Sequence, residues 1–441
     1  MMETWLNASL TLVAIPILGG LLGLALWKCP RIFQVWTLVF LAVTGLILTV
    51  YSGPSSDDPT SNILMGLIVL GAFLSILGQN FQKDTSVVLF LTLMLVGLGL
   101  GFMTNEGDVR TSYLGEIFVL VGMALFYYGF YTGNPPREVG WGALAMYGLG
   151  LMCLAVSVML SDPIAAMVLV VAFAVTFPLF PFHGAFVATL NNLPGSLPAF
   201  LVVLLPSLGF SGVSVLIPYL PDWLMHGLFV LTLLSAMYGA LKALVQFRMG
   251  HLLAYAYLAQ MGIVWWFMAV NGSVTPQVIM YFSSLALVTS GLYLAGHYLH
   301  TRFGHLDMDK LSGIAHSMPR FATILVVLIT AAMGLPLFAV FSAFFEMILH
   351  LSTDFLWSIP VILTIWFMMS WLYPRLMHRV LFGRPLVPSF PYRDLCSGEL
   401  LPLILMVLVL MFAGLIPSDL IGSTNSPVLS FHVEEVETWK P

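Results

Sequence analysis

Apolar residues run through this chain in long blocks, each closed by a polar, proline or glycine break, and none shows the two-residue alternation of a half-buried strand. Fourteen such segments are read, at 9–27, 33–52, 61–79, 85–103, 112–133, 140–160, 163–182, 198–218, 223–247, 252–270, 276–300, 319–349, 357–377 and 400–417. Roughly 20 apolar residues in a helix cross the hydrocarbon core, and lipid gives backbone groups no partner outside their own helix or a closed barrel. Length and missing alternation favour helices over barrel strands. The pattern predicts an all-α polytopic membrane protein of about 14 transmembrane helices. The first run, Leu10 to Trp27, follows no basic stretch and reads as a retained helix, not a cleaved signal.

Composition strengthens this picture: 60% of the 441 residues are hydrophobic and 8% are charged, against about 25% charged in an ordinary soluble domain. The net charge of −5 says little; the placement of the charges says more. Loops after odd-numbered segments, with the adjoining helix ends, carry Lys28, Arg31, Lys83, Arg137, Arg248, Arg302, Lys310, Arg320, Arg375, Arg379, Arg384 and Arg393, whereas the even-numbered loops carry Arg110 alone. By the positive-inside rule the odd loops are cytoplasmic, and both termini lie on the other side. Glu434, Glu435 and Glu437 make the C-terminal tail acidic, which suits that face.

Two segments are interrupted alike, by Phe177-Pro178-Leu179-Phe180-Pro181-Phe182 in the seventh and Gly334-Leu335-Pro336-Leu337-Phe338 in the twelfth. Proline removes a helix hydrogen bond, and such breaks persist in lipid where they line a cavity. Breaks five helices apart fit two five-helix units of inverted topology; two unrelated packing kinks are the plainer alternative. The chain then divides into residues 1–84 (helices 1–3), 85–218 (helices 4–8), 219–377 (helices 9–13), and 378–441 with a basic loop, helix 14 and the tail.

The stretch Phe173-Ala174-Val175-Thr176-Phe177-Pro178-Leu179-Phe180-Pro181-Phe182-His183, with Pro194 following, resembles the broken seventh helix of the antiporter-like subunits of respiratory complex I. Ala243-Leu244-Val245-Gln246, Leu252-Leu253-Ala254-Tyr255 and Met261-Gly262 are similar to that family's next signature, and Met318-Pro319-Arg320-Phe321-Ala322 leading to Gly334-Leu335-Pro336 to its broken twelfth helix. The blocks fall in order from about Asp108 to Pro336, and the M-type (chain 4) subunit of NADH-quinone oxidoreductase is the nearest relative by this resemblance. Mrp-type cation/proton antiporter subunits and the membrane partner of inorganic-carbon uptake systems share the fold. The resemblance implies an energy-transducing membrane, partner membrane and redox subunits, surrounding lipid, and any quinone handled by neighbouring subunits.

It also implies a row of buried ionisable groups at mid-membrane: a glutamate on the fifth helix, lysines on the seventh and eighth, and a lysine or glutamate on the twelfth. Buried charges are costly unless paired, so protons can pass by switching partners. Glu116 falls at the fifth-helix position, allowing one gap, although a carboxylate snorkelling to the surface fits it too. The lysine positions fall on Thr176 and Ser207, the usual histidine before Met261 on Gln260, and the twelfth-helix position on Phe344, with Glu346 two residues on. Lys242 stands where the family is neutral; its stem can reach the headgroups, or it can serve as a relocated partner for Glu116 or Glu346. Glu116, Lys242, Glu346, His183 and His251 are the candidate proton-pathway residues. Thr176 and Ser207 hold no positive charge at any pH, so the expectation is altered or lost proton translocation, with a structural spacer as the limiting case.

Other chemistry finds no foothold. Cys29, Cys153 and Cys396 form no CxxC pair, and neither a disulfide framework nor a metal site is expected. Ten histidines raise a haem reading, with His183, His226, His251, His297, His300 and His305 as candidates, but most fall at predicted helix ends or loops and not paired at mid-depth, so no cofactor is expected in this chain. No phosphate loop or basic nucleic-acid patch is present in the sequence. Gly19, Gly20 and Gly23 read as close helix packing, and Trp265-Trp266 as part of an interfacial belt touching lipid.

Overall fold

The computed structural model describes residues 2–51, 59–81, 84–104, 140–157, 159–160, 162–351, 353–382 and 393–416. Among the described residues, the α-helices longer than one turn are α1 (Met2–Gly23), α2 (Pro30–Tyr51), α3 (Pro59–Leu77), α4 (Thr85–Met103), α5 (Gly140–Ser157), α6 (Asp162–Thr176), α7 (Gly184–Asn192), α8 (Leu197–Leu216), α9 (Asp222–Leu244), α10 (Met249–Asn271), α11 (Pro276–Phe303), α12 (Pro319–Ala332), α13 (Ala339–Leu349), α14 (Ile359–Leu381) and α15 (Ser397–Leu415). By length and composition nine of the described helices can cross a membrane, and shorter apolar helices cover Thr11–Leu26, Gly142–Ser157, Ile164–Thr176, Pro319–Ala332 and Ala339–Leu349. The predicted segment 112–133, with Glu116, lies outside the described residues.

Local chemistry sets the helix ends. Pro276 and Pro319 open α11 and α12, where a missing N–H costs nothing because the first turn has no intrahelical acceptor. Gly272 and Gly304 close α10 and α11 in the left-handed region, at φ 62° and 75°. Among the described residues the one strand-like pairing is an isolated antiparallel bridge of Arg248 with Asp307. It ties the α9–α10 turn to the loop after α11.

α1 to α4 pack on one another, and α3 joins this group to the rest through α8 and α11. α9 and α10 form a close antiparallel pair. α11 is the axis of the molecule, touching α3, α8, α10, α12, α13 and α15, and it is almost wholly buried. α2, α14 and α15 sit at the periphery and leave most of their apolar surface outward, as lipid or a neighbouring subunit requires.

Both predicted breaks are present, between α6 and α7 and between α12 and α13. At the second, Gly334 takes φ 72°, its amide bonds to Ala331 O at 3.1 Å and the Leu335 amide to Thr330 O at 3.3 Å. These are the two bonds of a Schellman end. A Cβ at Gly334 would sit 2.1 Å from Trp366 Cζ2, so backbone and packing both demand glycine there.

Candidate functional site

A broken helix frees backbone groups that lipid cannot satisfy. At the first break neighbouring helices supply the partners. Ser235 Oγ of α9 accepts from the Phe180 amide at 3.0 Å, and Trp265 Nε1 of α10 donates to Phe177 O at 3.3 Å. α8 closes in from the other side: a Cβ at Gly209 would lie 2.6 Å from both the Phe177 nitrogen and Thr176 Oγ1. At the second break Ser370 Oγ of α14 donates to Met333 O at 3.4 Å.

Between the breaks, every lysine, histidine or carboxylate position the resemblance implies on the described helices is occupied by a buried neutral side chain. Thr176 and Ser207 are both 0% exposed and turn their hydroxyls back onto their own helices, to Phe173 O at 3.2 Å and Val203 O at 2.7 Å. Gln260 Oε1 accepts from Tyr281 Oη at 2.6 Å. Phe344 lies on Trp366, ring centroids 3.8 Å apart.

Aromatic rings fill the space around these positions. Phe177 stacks on Trp265 at 4.8 Å and meets Phe210 and Phe282 edge-on, while Phe210 stacks on Phe282 at 4.7 Å. Tyr281 meets Phe344 at 5.9 Å and Trp366 at 6.3 Å. Trp265 and Trp266, read from the sequence as belt residues, are instead 1% and 0% exposed. That reading is corrected: α10 lies inside the bundle, and the Trp265 indole N–H is taken up by the broken helix. Runs of apolar residues are the same on both faces of such a helix, so no sequence signal separated these core rings from lipid-facing ones.

The remaining candidates are dispersed. Lys242 is exposed in the last turn of α9 and makes no ion pair among the described residues. The structure does not bring it to Glu346, which sits near the end of α13 with Oε2 buried and unpartnered among the described residues. Of the break prolines, Pro178 is buried, and Pro181 and Pro336 are exposed. His183, just after the first break, is 7% exposed, with Nδ1 unpartnered among the described residues and Phe180, Tyr238 and Tyr255 around its ring. His251 is half-buried in the first turn of α10.

Charge gathers at one end of the bundle. Arg302 Nη2 donates to Glu399 Oε2 at 2.6 Å with both side chains only 13% and 12% exposed, Asn80 Nδ2 donates to Glu399 Oε1 at 2.9 Å, and the Cys396 amide to Oε2 at 2.9 Å. This cluster fastens α15 to α11 and the end of α3. Arg375 donates to Leu244 O, and Asp307 holds Arg248 at 3.2 Å and Lys310 at 3.3 Å. Burial of Trp265 and the Glu399 cluster are the two site features that sequence reading missed. Among the described residues, no group of three or more His, Cys, Asp or Glu side chains is arranged to hold a metal.

A helical membrane bundle with two interrupted helices and, among the described residues, buried neutral side chains at Thr176, Ser207, Gln260 and Phe344 is the class of protein these features define. Residues 108–372, more than half of the chain, match the family described as NADH:quinone oxidoreductase/Mrp antiporter, transmembrane, and the chain belongs to that family. NADH-quinone oxidoreductase subunit M of Rickettsia bellii is 24% identical over 386 residues, spanning 82% of this chain and 72% of that protein. A chain of respiratory complex I from Thermus thermophilus shares the fold with TM-score 0.73 and 20% identity, over 92% of this chain and 95% of that one. A chain of a membrane-bound sulfane sulfur reductase, an archaeal respiratory membrane complex, does so with TM-score 0.79 and 17% identity, over 94% and 96%. The protein is a multi-pass membrane protein.

Proposed function

We propose that this chain is an M-type antiporter-like membrane subunit of a complex I-like respiratory assembly, in which the lysine relay has been replaced by a neutral core and proton translocation is altered. The observation that carries the second half is the pair Thr176 and Ser207, both fully buried with hydroxyls bonded to their own helices. A hydroxyl cannot hold a proton as an ammonium does, so no charge appears at either site to draw protons from a neighbouring carboxylate. Family membership and the respiratory relatives support the first half.

In this reading residues 85–218 and 219–377 are two inverted five-helix units, the basic end faces the cytoplasm with both termini opposite, lipid covers the periphery, and quinone chemistry belongs to neighbouring subunits. Affinity purification from native membranes followed by mass spectrometry tests it. Redox and membrane subunits of a quinone-linked complex are expected; Mrp-type partners, or a zinc-containing soluble partner, would place the chain in a transport system instead. Proton uptake into proteoliposomes of the purified assembly tests the rest: full translocation that Glu116→Gln abolishes would overturn the altered-relay reading.

A further inference from the structure

α9 and α14 lie side by side. At one end Phe229 of α9 meets the rings of Phe355 and Trp357, just ahead of α14. At the other, Arg375 of α14 donates through Nη1 to Leu244 O, in the last residue of α9. A helix leaves its final carbonyls without intrahelical donors, so this bond satisfies one of them and holds the guanidinium in the groove between the two helices.

The guanidinium is only partly satisfied there. Arg375 makes no ion pair among the described residues, and the bond to Leu244 takes one of the five N–H donors of its fork. It lies six residues before the end of α14 at Leu381, about 9 Å of rise. Arg379, one turn nearer that end, is already engaged: its Nη1 holds Asp309 at 3.2 Å and its guanidinium lies over the Phe247 ring at 5.6 Å. On the other side of Arg375, the spacing of four residues continues its stripe through Trp371 and Phe367. Both are more than half exposed, as is Leu241 of α9.

A phosphodiester at the head of acyl chains has the same order of groups, charge first and then apolar length, and a guanidinium fork matches its oxygens. Charge selects the lipid class. Arg375, Arg379 and the exposed His378 share this end of α14, and the carboxylate paired with them among the described residues is Asp309 alone. A zwitterionic headgroup brings its own cation against this set, and an anionic one does not.

We propose that the groove between α9 and α14 at the basic end binds one anionic phospholipid, its phosphodiester on the free N–H groups of Arg375 and its acyl chains along Trp371, Phe367 and Leu241. The site rests on the membrane bundle and is independent of the respiratory reading.

Lys242 supplies an internal contrast. It too is exposed near the end of α9 without an ion pair among the described residues. Two residues before Leu244, it lies about 200° round the helix from it, and Tyr238 one turn earlier faces Phe180 and His183 at the first break. It is a cation at nearly the same depth but outside the groove.

Native mass spectrometry of the full chain in mild detergent, titrated with phosphatidylglycerol or phosphatidylcholine, tests the site. Arg375→Gln retains a side-chain N–H donor without the charge, Arg375→Lys retains the charge without the fork, and Lys242→Gln is the contrast. Wild type should hold one phosphatidylglycerol in preference to phosphatidylcholine. Arg375→Gln should weaken that binding about tenfold, as loss of one charge-assisted contact does; Arg375→Lys should fall between, and Lys242→Gln should match wild type. Equal binding by wild type and Arg375→Gln would overturn the site, and so would an equal loss in Lys242→Gln, the mark of a diffuse positive surface. No preference over phosphatidylcholine, or binding of glycerol 3-phosphate as tight as that of the lipid, overturns the assignment to an anionic lipid. Should Arg375→Gln lack a melting transition, Trp371→Ala on the exposed acyl wall replaces it, and unchanged phosphatidylglycerol binding there overturns the groove.

Discussion

Phe344 lies on the indole of Trp366 with ring centroids 3.8 Å apart and planes 19° from parallel. This pair occupies the place where the family resemblance puts an ionisable side chain, and the surrounding helices have closed on it. Truncation by Phe344→Ala is expected to cost about 3–5 kcal/mol, as for buried aromatic rings generally. Phe344→Glu should cost more, since it adds an unpaired charge to the same void. Thermal unfolding in detergent should rank wild type above Phe344→Ala above Phe344→Glu. Proton uptake should not rise in Phe344→Glu, because Thr176 and Ser207 stay neutral.

The bond from Tyr281 Oη to Gln260 Oε1, at 2.6 Å, joins α11 to α10 inside the core. Gln260→Leu strands a buried phenol hydroxyl and is expected to lose about 1–3 kcal/mol. Tyr281→Phe removes the other partner, so the double variant should lose less than the sum of the single losses. A double-mutant cycle on denaturation midpoints checks this; strict additivity would show that the bond contributes nothing.

Glu399 accepts from Arg302, Asn80 and the Cys396 amide together. Removing one member of a fully buried pair costs about 3–5 kcal/mol, and partial exposure of Arg302 and Glu399 brings the expected loss below that. Glu399→Ala should therefore loosen α15 from α11 and expose the end of α3 to limited proteolysis. Glu399→Gln, which keeps an acceptor for Asn80, should fall between it and wild type.

At the same end, Asp307 pins the loop after α11 to the α9–α10 turn. A hydrogen bond from Lys310 first, then the charges of Lys310 and Arg248, hold its carboxyl below the usual aspartate range despite opposing desolvation. A carboxyl whose pKa is lower in the folded loop than in the free one stabilises the loop above the ordinary aspartate pKa, and this contribution fades as pH falls through the lowered value. Protection of the Met249 and Met308 amides, which bond to Leu306 O and Phe247 O at 3.0 Å each, should drop across that acid window. In Asp307→Asn the hydrogen-exchange profile should be flat there.

The sequence by itself determined that the chain is a bundle of membrane helices, because apolar runs without alternation have one solution in lipid, and it placed both breaks, because Pro178 with Pro181 and Gly334 with Pro336 set two helix breakers within a few residues, whereas the lone Pro206 and Pro374 stay inside α8 and α14. That Thr176 and Ser207 carry no charge was legible too: a residue's capacity for charge is a property of its type.

What surrounds these positions was decided by the tertiary structure alone. Trp265 reaches Phe177 across 88 residues of sequence, and Glu399 reaches Asn80 across 319; contacts at such separations leave no local pattern. In a uniformly apolar helix the face turned to lipid and the face turned to the core look alike, since both solvents accept the same side chains. Only packing revealed that α11 lies at the centre, that Lys242 makes no ion pair with Glu346, and that His297 and Ser290 of α11 are buried while His300 at its end is exposed.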